Sequence, residues 1–120
     1  MAGMGRNYPV LKKKFKHIEM LDASVEMMKA NTHPVIKHKC YIEKFNWPRE
    51  TYHCIIGVSS LCYLQGLKLN DVLTRMDSSL AEHGYMVFME PIDNTLGDDE
   101  QRDFAEKGQK MKIRSQRFYK

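Results

Sequence analysis

The most apolar run in the chain is Tyr52 to Ser59, with His53-Cys-Ile-Ile-Gly-Val58 at its centre. A continuous run of this kind suits a strand buried on both faces of a parallel sheet. The clearest helix follows it. Leu69, Val72, Leu73, Met76 and Leu80 fall on one helical face. Asn70 is the candidate N-cap of that helix, and Gly84 the candidate glycine just past its C-terminus. Tyr85 to Glu90 reads as another strand, stopped by Pro91.

The preceding residues continue the alternation. Arg6 to Phe15 reads as a short helix and His17 to Leu21 as a strand, with Asp22 directly after it. Ser24 caps a helix over Val25 to Ala30, with Met27 and Met28 facing inward. Asn31-Thr-His-Pro34 is a turn, Val35 to Ile42 a strand, and Glu43 to Thr51 a loop. Residues 93–103 read as a loop, and a helix is expected from about 104. Helices alternating with strands argue for an open α/β sheet with helices on its faces. The connections after Asp22, around Glu43 and after Val58 would lie at carboxyl ends of strands, the edge where such sheets bind ligands.

Composition narrows the class further. The chain has 120 residues and reads as a single domain, 1–120. No stretch approaches the length of a membrane helix, and residues 1–20 lack the apolar core of a secretory signal. Three cysteines with no CxxC argue against a disulfide framework and a zinc knuckle, and favour a reducing compartment, cytoplasmic or nuclear. The five histidines show no metal-ligand spacing, so no metal is expected. The net charge of +4 is uneven, with Lys12, Lys13, Lys14 and Lys16 clustered. A nucleic-acid patch and an organelle transit segment are two readings of that cluster, and a solvated helix face is the simpler one; an RNA-associated function ranks last, because an interleaved aromatic platform is lacking.

Ala2-Gly-Met-Gly-Arg6 resembles the glycine loop of class I S-adenosylmethionine-dependent methyltransferases. Ile18 to Met28 resembles the segment where an acid ends the second strand. Tyr52 to Val58 and Gly84 to Glu90 resemble the fourth and fifth strands. Within this superfamily the chain is most similar to the protein α-N-terminal methyltransferases, through the glycine loop, the Tyr52 segment, and Ile113-Arg114-Ser115 before Phe118. The resemblance implies S-adenosylmethionine as cofactor and a protein or peptide N-terminus as methyl acceptor. It implies cofactor contacts at Gly3, Gly5, Arg6, Asp22, Ile42, Glu43 and Val58. Gly3 and Gly5 would allow close backbone approach. Arg6 would meet the cofactor carboxylate, Asp22 the ribose hydroxyls, and Ile42 and Glu43 the adenine. Methyl transfer from a sulfonium needs alignment and a neutral amine more than a strong acid or metal.

Two departures accompany the resemblance. Only Met1-Ala2 precede the glycine loop, so the first strand of a Rossmann-like sheet is largely missing, and the chain ends before the last two strands the family usually has. The family's substrate-side Asn, His and Asp align with Pro91, Tyr63 and Gln109. Tyr63 and Glu90 are then the best-placed polar groups for catalysis. Trp47 and Tyr63 either line a peptide channel or fill a core edge. The expectation is an incomplete Rossmann-like methyltransferase domain. The alternative is a non-catalytic, methyltransferase-like interaction subunit whose sheet a partner chain completes.

Overall fold

The computed structural model describes residues 2–64, 66–90, 101–106 and 109–114. The chain divides into two compact units, Met1–Pro48 and Arg49–Lys120. Both are built from alternating helices and strands, and the expected α/β class is observed.

The N-terminal unit holds α1 (Tyr8–Leu11), β1 (Glu19–Asp22), α2 (Val25–Ala30) and β2 (Ile36–Lys39). A one-turn 3-10 segment, Ile42–Lys44, follows. β1 and β2 pair in parallel, from Glu19 opposite Ile36 to Asp22 opposite Lys39. Parallel strands need a crossover, and α2 provides it. Six residues are too few for a helix that stands alone. Ser24 secures its start, with its hydroxyl accepting from Met27 N at 3.2 Å. Met28 is buried, but Met27 is 45% exposed, so only one of the expected methionine pair faces inward. Adjacent helical residues point about 100° apart, so one narrow apolar stripe cannot take both. Met20, Met28, Ile42 and the side chain of Asn31 are buried in this unit.

The C-terminal unit holds β3 (Tyr52–Val58), a 3-10 turn (Leu61–Tyr63), α3 (Leu67–Ser79) and β4 (Leu80–Met89). β3 and β4 are parallel, with α3 as the crossover. Leu69, Val72 and Met76 of α3 are buried, as the apolar spacing predicts, together with Ile55, Leu61, Cys62 and Leu64. Each such side chain contributes about 1.5–3 kcal/mol when fully buried. Burial alternates along β3, and Ile56 is 40% exposed. The expected burial on both faces is therefore corrected to burial on one.

Two expectations at the ends of α3 also change. The N-cap is Gly66, at φ +54, and the helix begins a turn before Asn70. Leu80 ends the helix and opens β4, so Gly84 lies inside the strand. A Cβ on Gly84 would stand 2.8 Å from Ala81 O and 3.0 Å from Tyr52 O. The glycine serves close backbone packing there, at the register shift between Tyr52 and Cys54.

The helix expected from about 104 is not formed. β5 (Gln101–Glu106) and β6 (Gln109–Arg114) pair antiparallel. Two strands therefore stand where a loop and a helix were expected. β6 runs beside the turn Leu61–Tyr63.

Candidate functional site

In the N-terminal unit the glycine loop meets the end of β1. Ala2 N donates to Leu21 O at 2.9 Å, so the chain enters the loop alongside the strand. Asp22 then accepts from Gly3 N through Oδ2 and from Ser24 N through Oδ1, both at 2.8 Å. One carboxylate thus ties the loop before the strand to the helix start after it. Gly3 and Gly5 both have left-handed backbone, at φ +56 and +80. A Cβ at Gly3 would meet nothing within 4 Å, which leaves an open surface over the loop. At Gly5 a Cβ would collide with His33 Cδ2 at 2.7 Å and Asn31 Nδ2 at 2.9 Å. Arg6 is exposed, and its guanidinium has no protein partner among the described residues.

Gly3 is thus brought onto Asp22, and Gly5 and Arg6 follow in the same loop. Ile42 is buried, and its carbonyl accepts from Trp47 Nε1 at 3.4 Å. Glu43 is half-buried in the same 3-10 segment. Phe45 packs edge-on against Trp47, with ring centroids 4.9 Å apart, and lies 4.7 Å from the His38 ring. Cys40 is half-buried between β2 and this segment, and burial pushes its thiol pKa up.

In the C-terminal unit a second carboxylate acts at a second strand end. Glu90, just after β4, accepts from Ser60 N at 2.8 Å and Leu61 N at 2.9 Å through Oε1, and from Cys62 N at 3.1 Å through Oε2. It holds the turn that follows β3 and carries Tyr63. Val58 is half-buried at the end of β3, opposite Met89. Ser59 N continues the pairing to Met89 O at 2.7 Å. β6, which includes Gln109 and Ile113-Arg114, lies beside the Tyr63 turn. Pro91 and Ser115 lie outside the described residues. Among the described residues no group of three or more His, Cys, Asp or Glu is placed to hold a metal. None of their helices is long and apolar enough to cross a membrane.

A carboxylate offers about four lone-pair positions. Asp22 is buried, at 8% exposure, and uses one on each oxygen for a backbone amide. Glu90 has three donors and is committed more fully to shaping its turn. Asn31 and His33 were read only as residues of the turn before Pro34, with no part in the site. The readable signal was Asn31 two residues before His33 and three before Pro34, an arrangement that favours a side-chain-to-backbone turn.

Among solved structures, the chain is similar to a SAM-dependent methyltransferase from Leishmania major. That match has a TM-score of 0.83 at 22% identity, over 98% of this chain and 48% of that one. It is also similar to an S-adenosylmethionine-dependent methyltransferase from Mesorhizobium loti, with a TM-score of 0.77 at 12% identity over 96% and 65% of the two chains. A DhpI–SAM–HEP complex matches with a TM-score of 0.73 at 15% identity over 96% and 61%. No family model and no curated protein matches the sequence. The chain spans about half the length of the Leishmania protein. The likeness at these identities is one of fold: over the part it spans, the chain has the Rossmann-like α/β fold found in class I SAM-dependent methyltransferases.

Proposed function

We propose that this chain is part of an S-adenosylmethionine-dependent methyltransferase, and that its N-terminal unit holds the cofactor. The observation that carries the reading is the clamp of Gly3 onto Asp22 at the end of β1. It presents an open, left-handed glycine beside a carboxylate with one amide on each oxygen, and Arg6 follows three residues on. These groups fit the cofactor. Asp22 would accept from the ribose hydroxyls, Arg6 would pair with the carboxylate, and Gly3 would let the backbone approach without a Cβ. When bound, the cofactor supplies a methyl group on a sulfonium. Ile42 and Glu43 are the proposed adenine-side positions and Val58 a further contact.

The methyl acceptor we propose is a protein or peptide N-terminal amine. Support comes from the resemblance of the glycine loop, the Tyr52 segment and Ile113-Arg114 to enzymes acting on such amines. In this reading Glu90 sets the turn, and the Tyr63 hydroxyl takes a hydrogen bond from the incoming amine or donates one to it. The amine must arrive neutral, because its lone pair forms the new bond. A protein partner, in addition to the acceptor, is part of the proposal. It would add strands to sheets that have two each among the described residues. The cytoplasm or nucleus is the proposed compartment.

The test is calorimetric titration of the full chain with S-adenosylhomocysteine, beside Arg6→Ala. Saturable binding, weakened about tenfold in the variant by loss of a charge-assisted contact, supports the reading. A folded chain that binds nothing overturns it. Methylation of Pro-Lys peptides, measured by mass, then tests the acceptor, and transfer only to other amines would reject that part.

A further inference from the structure

His33 belongs to no motif, yet it touches the glycine loop on both sides of Arg6. On one side, Gly5 runs so close that a Cβ would stand 2.7 Å from His33 Cδ2. On the other, the Tyr8 ring stacks on the imidazole, with centroids 4.4 Å apart and planes 27° from parallel. Tyr8 N donates to Gly5 O at 3.0 Å, which closes the segment into a tight loop with Arg6 and Asn7 at its tip. His33 is itself held. Asn31 Oδ1 accepts from His33 N at 3.1 Å, and Asn31 is 1% exposed. The Asn31 amide nitrogen donates to Met20 Sδ at 3.0 Å, and Asn31 N caps α2 through Met27 O at 3.0 Å. A rigid chain of contacts therefore runs from the core of this unit through Asn31 and His33 to both flanks of Arg6.

We infer that His33 is a positioning residue for Arg6, bracing the loop so that the guanidinium is presented to the carboxylate of the bound cofactor. This rests on the cofactor reading above and adds a residue to it. The physical reason is entropic. An exposed arginine on a free loop must lose backbone and rotamer freedom on binding, whereas a braced backbone has already lost its share. The brace acts on the carboxylate end of the ligand and leaves the adenosine end alone.

Two ligands separate these ends: S-adenosylhomocysteine carries the carboxylate, and methylthioadenosine has the adenosine and thioether without it. In His33→Ala, affinity for S-adenosylhomocysteine is expected to fall about tenfold, the scale of one charge-assisted contact, with methylthioadenosine unchanged. His33→Phe keeps a stacking ring and restores most of the loss. Tyr8→Leu breaks the stack from the other side and reproduces it. Equal loss for both ligands, or no loss for either, overturns the inference.

Amide exchange supplies a readout that needs no ligand. The Tyr8 amide should exchange about tenfold faster in His33→Ala while the Gly3 amide, bound to Asp22, keeps its rate, since local openings have their own free energies. An unchanged Tyr8 amide, or uniform acceleration across the unit, rejects the brace. Should the intact chain bind neither ligand, the cofactor reading fails, and the exchange data still decide whether His33 braces the loop.

Discussion

The two units place an acid at the carboxyl end of a parallel strand and use it differently. Asp22 receives one amide on each oxygen, from residues on either side of its own strand. Glu90 receives three consecutive amides from a turn 28 to 30 residues earlier in the chain. Three convergent N–H groups fix a shape. Two leave room for a guest. In the proposed reading the same chemical group serves recognition in one unit and architecture in the other, and the number of donors already seated distinguishes the two. The glycine loop beside Asp22 fits a ligand site, whereas the Tyr63 turn beside Glu90 is held as a preset surface.

Substitutions can break this contrast. The largest effect is expected at Gly5→Ala. The backbone at φ +80 and the contact at 2.7 Å to His33 oppose a Cβ together, and the N-terminal unit should lose about 3–4 kcal/mol. Gly3→Ala meets open space and should cost only about 1 kcal/mol. Thermal melts of the two variants test the pair, and equal melting temperatures would refute the assignment of Gly5 to a packed floor.

Glu90→Ala strands three amides and should cost about 3 kcal/mol, and Asp22→Ala, with two, about 2 kcal/mol. Amide exchange should localise each loss, to residues 60–62 in one case and to Gly3 and Ser24 in the other. If Glu90→Ala leaves the exchange of 60–62 unaltered, the architectural role is wrong. Arg6→Ala sharpens the contrast from the other direction. Exposed, and without a partner among the described residues, Arg6 should leave the melting temperature unchanged while weakening ligand binding.

The smallest effect is on alkaline stability. Burial raises the Cys40 thiol pKa in the N-terminal unit. In the other unit the Tyr85 hydroxyl is raised by the charge of Cys54 opposite it, and then by their side-chain hydrogen bond. Both groups hold their protons more tightly folded than unfolded. Their contribution is therefore constant below the ordinary thiol and phenol ranges and is lost as pH rises through them. Melting temperatures should drift down above the thiol range. Cys40→Ala should remove the earlier part of the slope and Tyr85→Phe the later part; a slope unchanged in both would reject the pairing of cause and residue.

Local signals were readable where a single interaction decides the outcome. Ser24 caps α2 because its hydroxyl meets the Met27 amide, and that segment is found where the sequence places it. The buried stripe of α3 follows from its apolar spacing. Its start does not, because Gly66 can adopt the left-handed backbone that begins the helix early, and Asn70 is then one turn inside. The strand at 109–114 was misread as helix, although Met111 and Ile113 alternate with Lys110 and Lys112 at the period of two that marks a strand. At the candidate site, the contact of Asp22 with the glycine loop falls on residues that the sequence had singled out. The floor beneath Gly5 could not be read, because it depends on residues 26 and 28 positions away that only the turn after α2 brings into contact.

Trp47 gives the molecule a built-in optical reporter. It is the sole tryptophan of the chain, bonded through its indole nitrogen to the Ile42 carbonyl and packed edge-on against Phe45. Its emission therefore senses the polarity and rigidity of residues 42–47, where the proposed adenine-side positions lie. Arg49–Lys120 contains no tryptophan. A shift in emission colour or intensity thus reads the N-terminal unit in the intact protein, with no dye and no label.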